Sequence, residues 1–367
     1  MPIRAFSSLL ILAAAHIAPA PVAPGPETLR QAANDKLLIG CPVGGIDLSN
    51  TLLLDLVLRE FNTITIETEL MPFKLGADED DYAFENADRV LEWADAHDLP
   101  VYGHMLLWDY RTPQWMFTDP NGTPLPREQG IANLKTYIQK VATHYRGRLA
   151  GWNVVNEAIS DTPGEYLRET SAYRSIGPDY VQLAFQFAQE ADPNVPLYYN
   201  DYNLVVPEKR EKALRLIREL QAADIRLDAI GMQGHWLLGF PEIQWIHDSI
   251  NAFAGEGIDI YITELDVDVL PRTVAGANMA TVDEGPNPYP DALPEPVQRE
   301  LAQIYHEFFA AILEHPEVKM ITFWGSHDGR SWLNDFPVTG RTNYPLLFDR
   351  NLQKKPAHQS VLKAFSK

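Results

Sequence analysis

The chain has 367 residues, of which 46% are hydrophobic and 22% charged, the balance of a folded globular protein and not of a disordered one. Its formal net charge of −20 argues against nucleic acid and anionic membrane surfaces as partners, since both call for a basic face. Cys41 is the single cysteine, so no intramolecular disulfide can form.

At the N-terminus Arg4 precedes an apolar run, Leu9 to Ala15, followed by small residues and prolines through Pro26. The run is too short to span a bilayer and fits a secretory signal peptide of approximately residues 1–23, with Ala15, Ala20 and Ala23 as possible cleavage points. The alternative is a frayed apolar start of a cytosolic protein. The expectation is a secreted protein, extracellular or periplasmic, free of membrane contact after cleavage. Residues 24–36 read as a Pro/Ala-rich segment and 37–367 as one domain.

Eight apolar stretches then read as strands: Leu37–Val43, Phe61–Ile66, Pro100–Leu107, Leu149–Val155, Leu197–Tyr199, Leu227–Gly231, Ile258–Thr263 and Val318–Phe323. Helical spacing marks Phe84–His97, Ile131–Tyr145, Val181–Ala191, Glu208–Ala223, Pro241–Ala254, Val297–Glu314 and Ala357–Phe365. Repeated strand–helix alternation predicts an α/β fold, a single-domain (β/α)8 TIM barrel. The Gly-rich phosphate loops of open nucleotide-binding sheets are missing from the sequence. The Pro-rich stretch Val269–Pro296 reads as a long loop after the seventh strand, expected to wall the active site.

Polar and aromatic residues gather where the strands end, the rim that carries catalytic groups in such barrels. They are Glu67, His104, Trp108, Asn156, Glu157, Asn200, Asp201, Gln233, His235, Trp236, Glu264, Asp266, Trp324 and Trp332. Indole faces stack on the apolar face of a pyranose while amides and carboxylates hold its hydroxyls. Two glutamates on separate strand ends supply what acetal hydrolysis needs, a proton for the leaving oxygen and electron density at the anomeric carbon. Glu157 suits the acid if its surroundings raise its pKa. Glu264 suits the nucleophile if it stays ionised, supported by His235 and Asp266, and Asn156 is placed to bind the sugar 2-hydroxyl.

Each residue taken singly has a plainer reading. Asn156-Glu157 also fits a helix N-cap with an acidic first turn, and any one tryptophan also fits the core. His104 and His235 also fit core histidines or metal ligands, although neither a His-x-His pair nor a His-Glu-x-x-His motif occurs. The expectation is therefore no metal and no cofactor.

The stretches Trp152–Glu157 (WNVVNE), Leu197–Asn203 (LYYNDYN), Asp228–Trp236 (DAIGMQGHW) and Ile262–Asp266 (ITELD) resemble glycoside hydrolase family 10, the endo-β-1,4-xylanase-like barrels. Thr322–Gly325, Ser331-Trp332 and Pro345–Asp349 extend the resemblance. It implies a retaining double displacement on a β-linked polysaccharide or oligosaccharide, with Glu157 as acid/base and Glu264 as nucleophile. His104, Trp108, Asn156, Gln233, His235 and Trp332 are then expected around the reacting sugar. From their own places on or beside the rim, and not from the resemblance, Glu67, Arg111, Asn200 and Trp324 are expected to bind substrate too. Oligomeric state is left open.

The resemblance breaks at one end. Where the family reads Glu-Asn-x-Met-Lys, this chain has Glu67-Thr68-Glu69-Leu70-Met71; where it reads Trp-His-x-Gln, the chain has Trp108-Asp109-Tyr110-Arg111. Leu333 replaces the arginine that usually follows Ser-Trp, and Lys74 stands three residues out of phase with the missing cation. Each lost neutral hydrogen bond removes roughly 0.5–1.5 kcal/mol of sugar binding. Arg111 adds a fork suited to a carboxylate, or else pairs with Asp109. The expected enzyme keeps its reaction centre and has a remodelled second glycone subsite. Alternatives are activity on short, decorated or aryl β-glycosides, or a barrel that binds carbohydrate without catalysis.

Overall fold

The computed structural model describes residues 26–34, 36–271, 286–336 and 339–366. The expected signal peptide and residues 272–285 of the expected active-site wall lie outside the described residues. Among the described residues nine strands are present: β1 Leu38–Val43, β2 Thr63–Ile66, β3 Val101–Leu107, β4 Gly151–Asn156, β5 Leu197–Asp201, β6 Ala229–Met232, β7 His235–Leu237, β8 Asp259–Asp268 and β9 Val318–Phe323. All pair in parallel, and the sheet closes on itself through β1–β9 and β6–β8. Strands buried on both faces need near-continuous apolar sequence, which is how these stretches are recognised without alternation.

The helices are α1 Leu29–Ala33, α2 Thr51–Glu60, α3 Pro72–Leu75, α4 Glu85–Asp95, α5 Arg127–His144, α6 Ser171–Ile176, α7 Tyr180–Ala191, α8 Pro207–Ala222, α9 Ile243–Ala254, α10 Glu295–Ile312 and α11 Pro356–Phe365. The seven expected helices are there within a few residues. Helix α2 escaped the periodicity because its leucines run almost unbroken; the fold buries Leu53, Leu54, Leu56 and Val57 and leaves Leu52 70% exposed. Helix α1 belongs to the packed body, with Leu29 and Ala33 in the core and the Leu29 amide donating to the buried Glu60 carboxylate. Among the described residues no helix is long and apolar enough to cross a membrane.

The barrel interior is graded from apolar to polar. Near the strand N-termini, Tyr102, Tyr198 and Tyr261 meet edge to face with ring centroids 5.4–6.3 Å apart, filling the floor with Ala229 and Met320. Toward the C-terminal ends the inward groups become Asn153, His104, Asn200 and Thr263, each hydrogen-bonded to another inward group. Gly231 makes this layer possible, since a Cβ there would stand 2.3 Å from Asn200 Oδ1. On the outer face Trp152 lies over Gly103, where a Cβ would approach the indole to 2.4 Å, and this contact seats β4 against β3.

Two strands run two or more residues past their expected C-terminal ends. β8 continues to Asp268 because the short strand β7 pairs with its second half, His235 opposite Asp266. β5 continues through Asp201, paired with Met232 of β6. Register shifts interrupt β3–β4 after His104, β4–β5 after Asn153 and β8–β9 after Ile262. Such irregularities re-aim side chains at barrel rims, and all three lie just before residues of the cleft.

Candidate active site

A cleft of about 240 Å³, open to solvent, lies at the C-terminal rim, walled by aromatic groups and a few convergent polar ones as small-ligand sites are. Glu67, His104, Trp108, Arg111, Asn156, Glu157, Gln233, His235, Glu264, Trp324 and Trp332 all line it, together with Thr68, Met71 and Phe73.

Glu157 follows the last residue of β4 with φ +56°, a left-handed conformation that costs a non-glycine residue free energy and turns the chain at the rim. Its carboxyl accepts from Trp108 Nε1 at 3.0 Å and from Gln233 Nε2 at 2.9 Å. Burial raises its pKa to about 7, assisted by the negative charges of Asp201 and Glu264 and opposed by the Gln233 hydrogen bond.

Glu264 is buried on the facing strand β8. Its Oε1 accepts from Asn200 Nδ2 at 2.7 Å and its Oε2 lies 3.1 Å from His235 Nε2. Burial alone would raise this carboxyl as well. It is outweighed by the His235 hydrogen bond, the His104 and His235 charges and the Asn200 amide, so its pKa is lowered. Burial works against protonation of His235 too, but Asp266 and Glu264 prevail and raise its pKa to about 10. Its Nδ1 stands 3.0 Å from Asp266 Oδ2, an ion-pair contact off the line of a good hydrogen bond, and Trp332 Nε1 donates to the same oxygen at 2.8 Å. The two carboxyl groups are thus driven in opposite directions, the arrangement that separates an acid from a nucleophile.

The amide of Asn156 is oriented by its neighbours. Its Oδ1 faces Asn200 Nδ2 at 2.9 Å, Asn153 Nδ2 at 3.2 Å and Gln233 Nε2 at 3.5 Å. With its acceptor occupied on the protein side, its NH2 is the group available to a ligand.

Asn200, Asp201 and Trp236, like Asp266 behind His235, serve behind the cleft instead of on it. Asn200 is fully buried and reaches Glu264 and Asn156 without lining the cleft, which corrects its expected contact with substrate. Because successive residues of a strand face opposite sides, its neighbour Asp201 points away, accepting from Tyr199 OH at 2.5 Å and pairing with Lys209 at 2.8 Å. By the same alternation His235 faces the cleft and Trp236 packs on Phe308 of α10, with centroids 4.5 Å apart.

At the β2–β3 end, Glu67 accepts from Arg330 Nη2 at 2.8 Å. The short helix α3, opened by Pro72, turns Lys74 back until its ammonium lies 3.5 Å from Thr68 Oγ1, so the sequence offset did not keep it from this end of the cleft. Arg111 does not pair with Asp109. That carboxylate accepts from the Ser171 amide and hydroxyl, both at 2.8 Å. Sequence reasoning missed Phe73 and Arg330; an apolar residue 39% exposed beside a rim motif leaves no local signature, and Arg330 meets its partners from the other end of the chain.

Two carboxyl groups held on opposite sides of ionisation, in a sugar-sized cleft at the rim of a parallel barrel, place the protein among the (β/α)8 glycoside hydrolases. Residues 28–364 match the profile of glycosyl hydrolase family 10, and the chain belongs to that family, whose members cleave with retention. It is 40% identical over 311 residues to endo-1,4-beta-xylanase A of Xylanibacter ruminicola, covering 83% of this chain and 84% of that protein. The structure of a GH10 endoxylanase from a sugarcane soil metagenome superposes with a TM-score of 0.86 at 35% identity, over 91% of this chain and 99% of the other. A mutant crystallised with xylotriose superposes at 0.84 with 29% identity, over 92% and 99% of the two chains.

The tuning of Glu264 is open to measurement. The His235 cation favours the ionised form, so replacing His235 by Phe is expected to raise the Glu264 pKa through loss of a close opposite charge. Activity requires the ionised carboxylate, so the acidic limb of the kcat/KM profile is expected to move to higher pH and the bell to narrow. An acidic limb that stays in place would separate His235 from that control.

Proposed function

We propose that the protein is a secreted endo-1,4-β-xylanase that hydrolyses β-1,4-xylan or xylooligosaccharides by double displacement. The opposed tuning of Glu157 and Glu264 in one cleft carries this reading, the xylanases among its relatives support the substrate, and the apolar run after Arg4 supports export. The Glu264 carboxylate attacks the anomeric carbon while protonated Glu157 delivers its proton to the glycosidic oxygen, and the carbon–oxygen bond breaks. Glu157, now ionised, takes a proton from water as that water attacks the same carbon and releases Glu264. Asn156 donates to the 2-hydroxyl of the reacting sugar, and Trp324 and Trp332 offer faces to it. Thr68, Met71, Phe73 and Arg111 form a remodelled glycone end.

Hydrolysis of xylohexaose followed by proton NMR tests both parts. Internal cleavage giving β-anomeric xylobiose and xylotriose first is expected; first-formed α-anomers, or stepwise release of xylose alone, would overturn it.

A further inference from the structure

The β2–β3 end of the cleft holds a cation without an anion. Arg111 lines the cleft and rests against two rings, its guanidinium carbon 5.5 Å from the centroid of Phe73 and 5.8 Å from that of Trp108. Among the described residues no carboxylate pairs with it, although acids surround it in sequence and space. Asp109 is taken by Ser171 and Glu67 by Arg330. Glu69 accepts from the Gly45 amide at 2.7 Å and from the Thr68 amide at 3.3 Å. A second cation stands close by, since Lys74 lies on the hydroxyl of Thr68, another residue of the same wall. Asp109 and Glu69 are thus committed elsewhere, while Glu67, which shares the cleft wall, is paired with Arg330 and also feels the Lys74 charge, so Arg111 is the cation left facing the cleft.

The two rings hold the guanidinium by cation–π contact. Its N–H donors, a planar fork matched to a carboxylate, have no carboxylate partner among the described residues and are left for what enters the cleft. Met71 and Phe73 supply the apolar surface that a pyranose face covers. A neutral xylose unit uses the second of these features and leaves the fork unmatched.

We propose that this end of the cleft recognises a uronic-acid carboxylate on the glycone side of the bond to be cleaved, held by Arg111 with Lys74 adding positive charge. The proposal rests on the xylanase reading and names the substrate class that suits it best: acidic, uronate-bearing xylan. The same carboxylate comes either from a uronic acid branching off the backbone or from one ending the chain, and the two sources separate in the test.

The probes are a xylotetraose bearing an α-1,2-linked glucuronic acid branch, a xylotetraose capped at its non-reducing end by β-linked glucuronic acid, and the carboxyl-reduced form of each. Linear xylohexaose reports the underlying activity, so its cleavage decides the xylanase reading separately. The wild-type enzyme is expected to favour at least one acidic probe over its reduced form by about 10–100-fold in kcat/KM, the range for a charge-assisted hydrogen bond. Whichever acidic probe shows the preference identifies the source. In Arg111→Gln the ratio of acidic to reduced substrate is expected to collapse toward 1, with Arg111→Lys intermediate and Lys74→Gln lowering it less. Binding of the same probes to the Glu264→Gln protein by calorimetry gives the ratio without turnover. Ratios near 1 for both pairs in the wild type, or a ratio unchanged in Arg111→Gln, would overturn the proposal.

Discussion

Replacing Glu264 by Ala is expected to lower kcat on xylooligosaccharides by on the order of 10⁴-fold or more, the scale seen when a covalent nucleophile is removed. The side chain is buried and its charge is held by Asn200 and His235, so removing it takes away the attacking atom and leaves its supports in place. The methyl group also vacates space on that face of the sugar. Added azide is then expected to attack an activated aryl β-xyloside from the vacated side, restoring turnover and giving the α-glycosyl azide. Product stereochemistry checks the role directly. A β-azide, or activity within tenfold of wild type, would remove Glu264 from the nucleophile position.

Glu157→Ala is expected to behave differently. Losing the general acid costs roughly 10²–10⁴-fold on a natural sugar leaving group. The first step on an aryl glycoside suffers far less, because its leaving group departs without protonation. Azide here is expected to give the β-azide, through attack on an intermediate already formed on Glu264. The pH profile supplies a second check: Glu157 must be protonated to act, so wild-type activity falls as pH rises through about 7, and that alkaline limb disappears in the variant. Equal losses on sugar and aryl leaving groups would contradict the acid role.

The same pKa predicts a stability effect. It lies above the ordinary value of 4.5, so between these values the folded protein binds the proton more tightly than the unfolded chain does. The contribution is fully present below about pH 4.5 and is lost as pH rises through about 7. Glu157→Gln removes it, so the variant is expected to gain stability relative to wild type as pH is raised from 5 to 8, measured by urea denaturation at each pH. A stability difference independent of pH would refute the shift.

The barrel was legible because parallel strands are buried on both faces and must therefore be apolar throughout, a property local sequence records. The eight expected strands exist, and Val318–Phe323 has its expected bounds. Helix α2 was missed because its nearly continuous apolar run, broken only by Asp55, carries no clear period. The ends of β5 and β8 were missed because their last residues are polar, and pairing with β6 and β7 supplied what hydrophobicity did not. Two carboxyls at strand ends were likewise visible, since a polar residue closing an apolar stretch is a local feature.

Which rim groups face the cleft was settled only by the fold. Asn200 and Asp201 are adjacent in sequence, as are His235 and Trp236, and strand alternation sends one of each pair inward. Composition gives no sign of which. The opposed tuning of Glu157 and Glu264 is likewise a tertiary fact, because two similar buried glutamates differ only in what long-range packing brings beside them: Asp201 near one, His235 and Asn200 against the other. Arg330 reaches Glu67 across 263 residues, and Lys74 reaches Thr68 through a helix of a single turn. Sequence by itself determined the barrel and the kind of chemistry, which depend on hydrophobic period and residue type. Charge state, orientation and the unmatched cation at the glycone end depend on distance through space, and only the folded chain sets those distances.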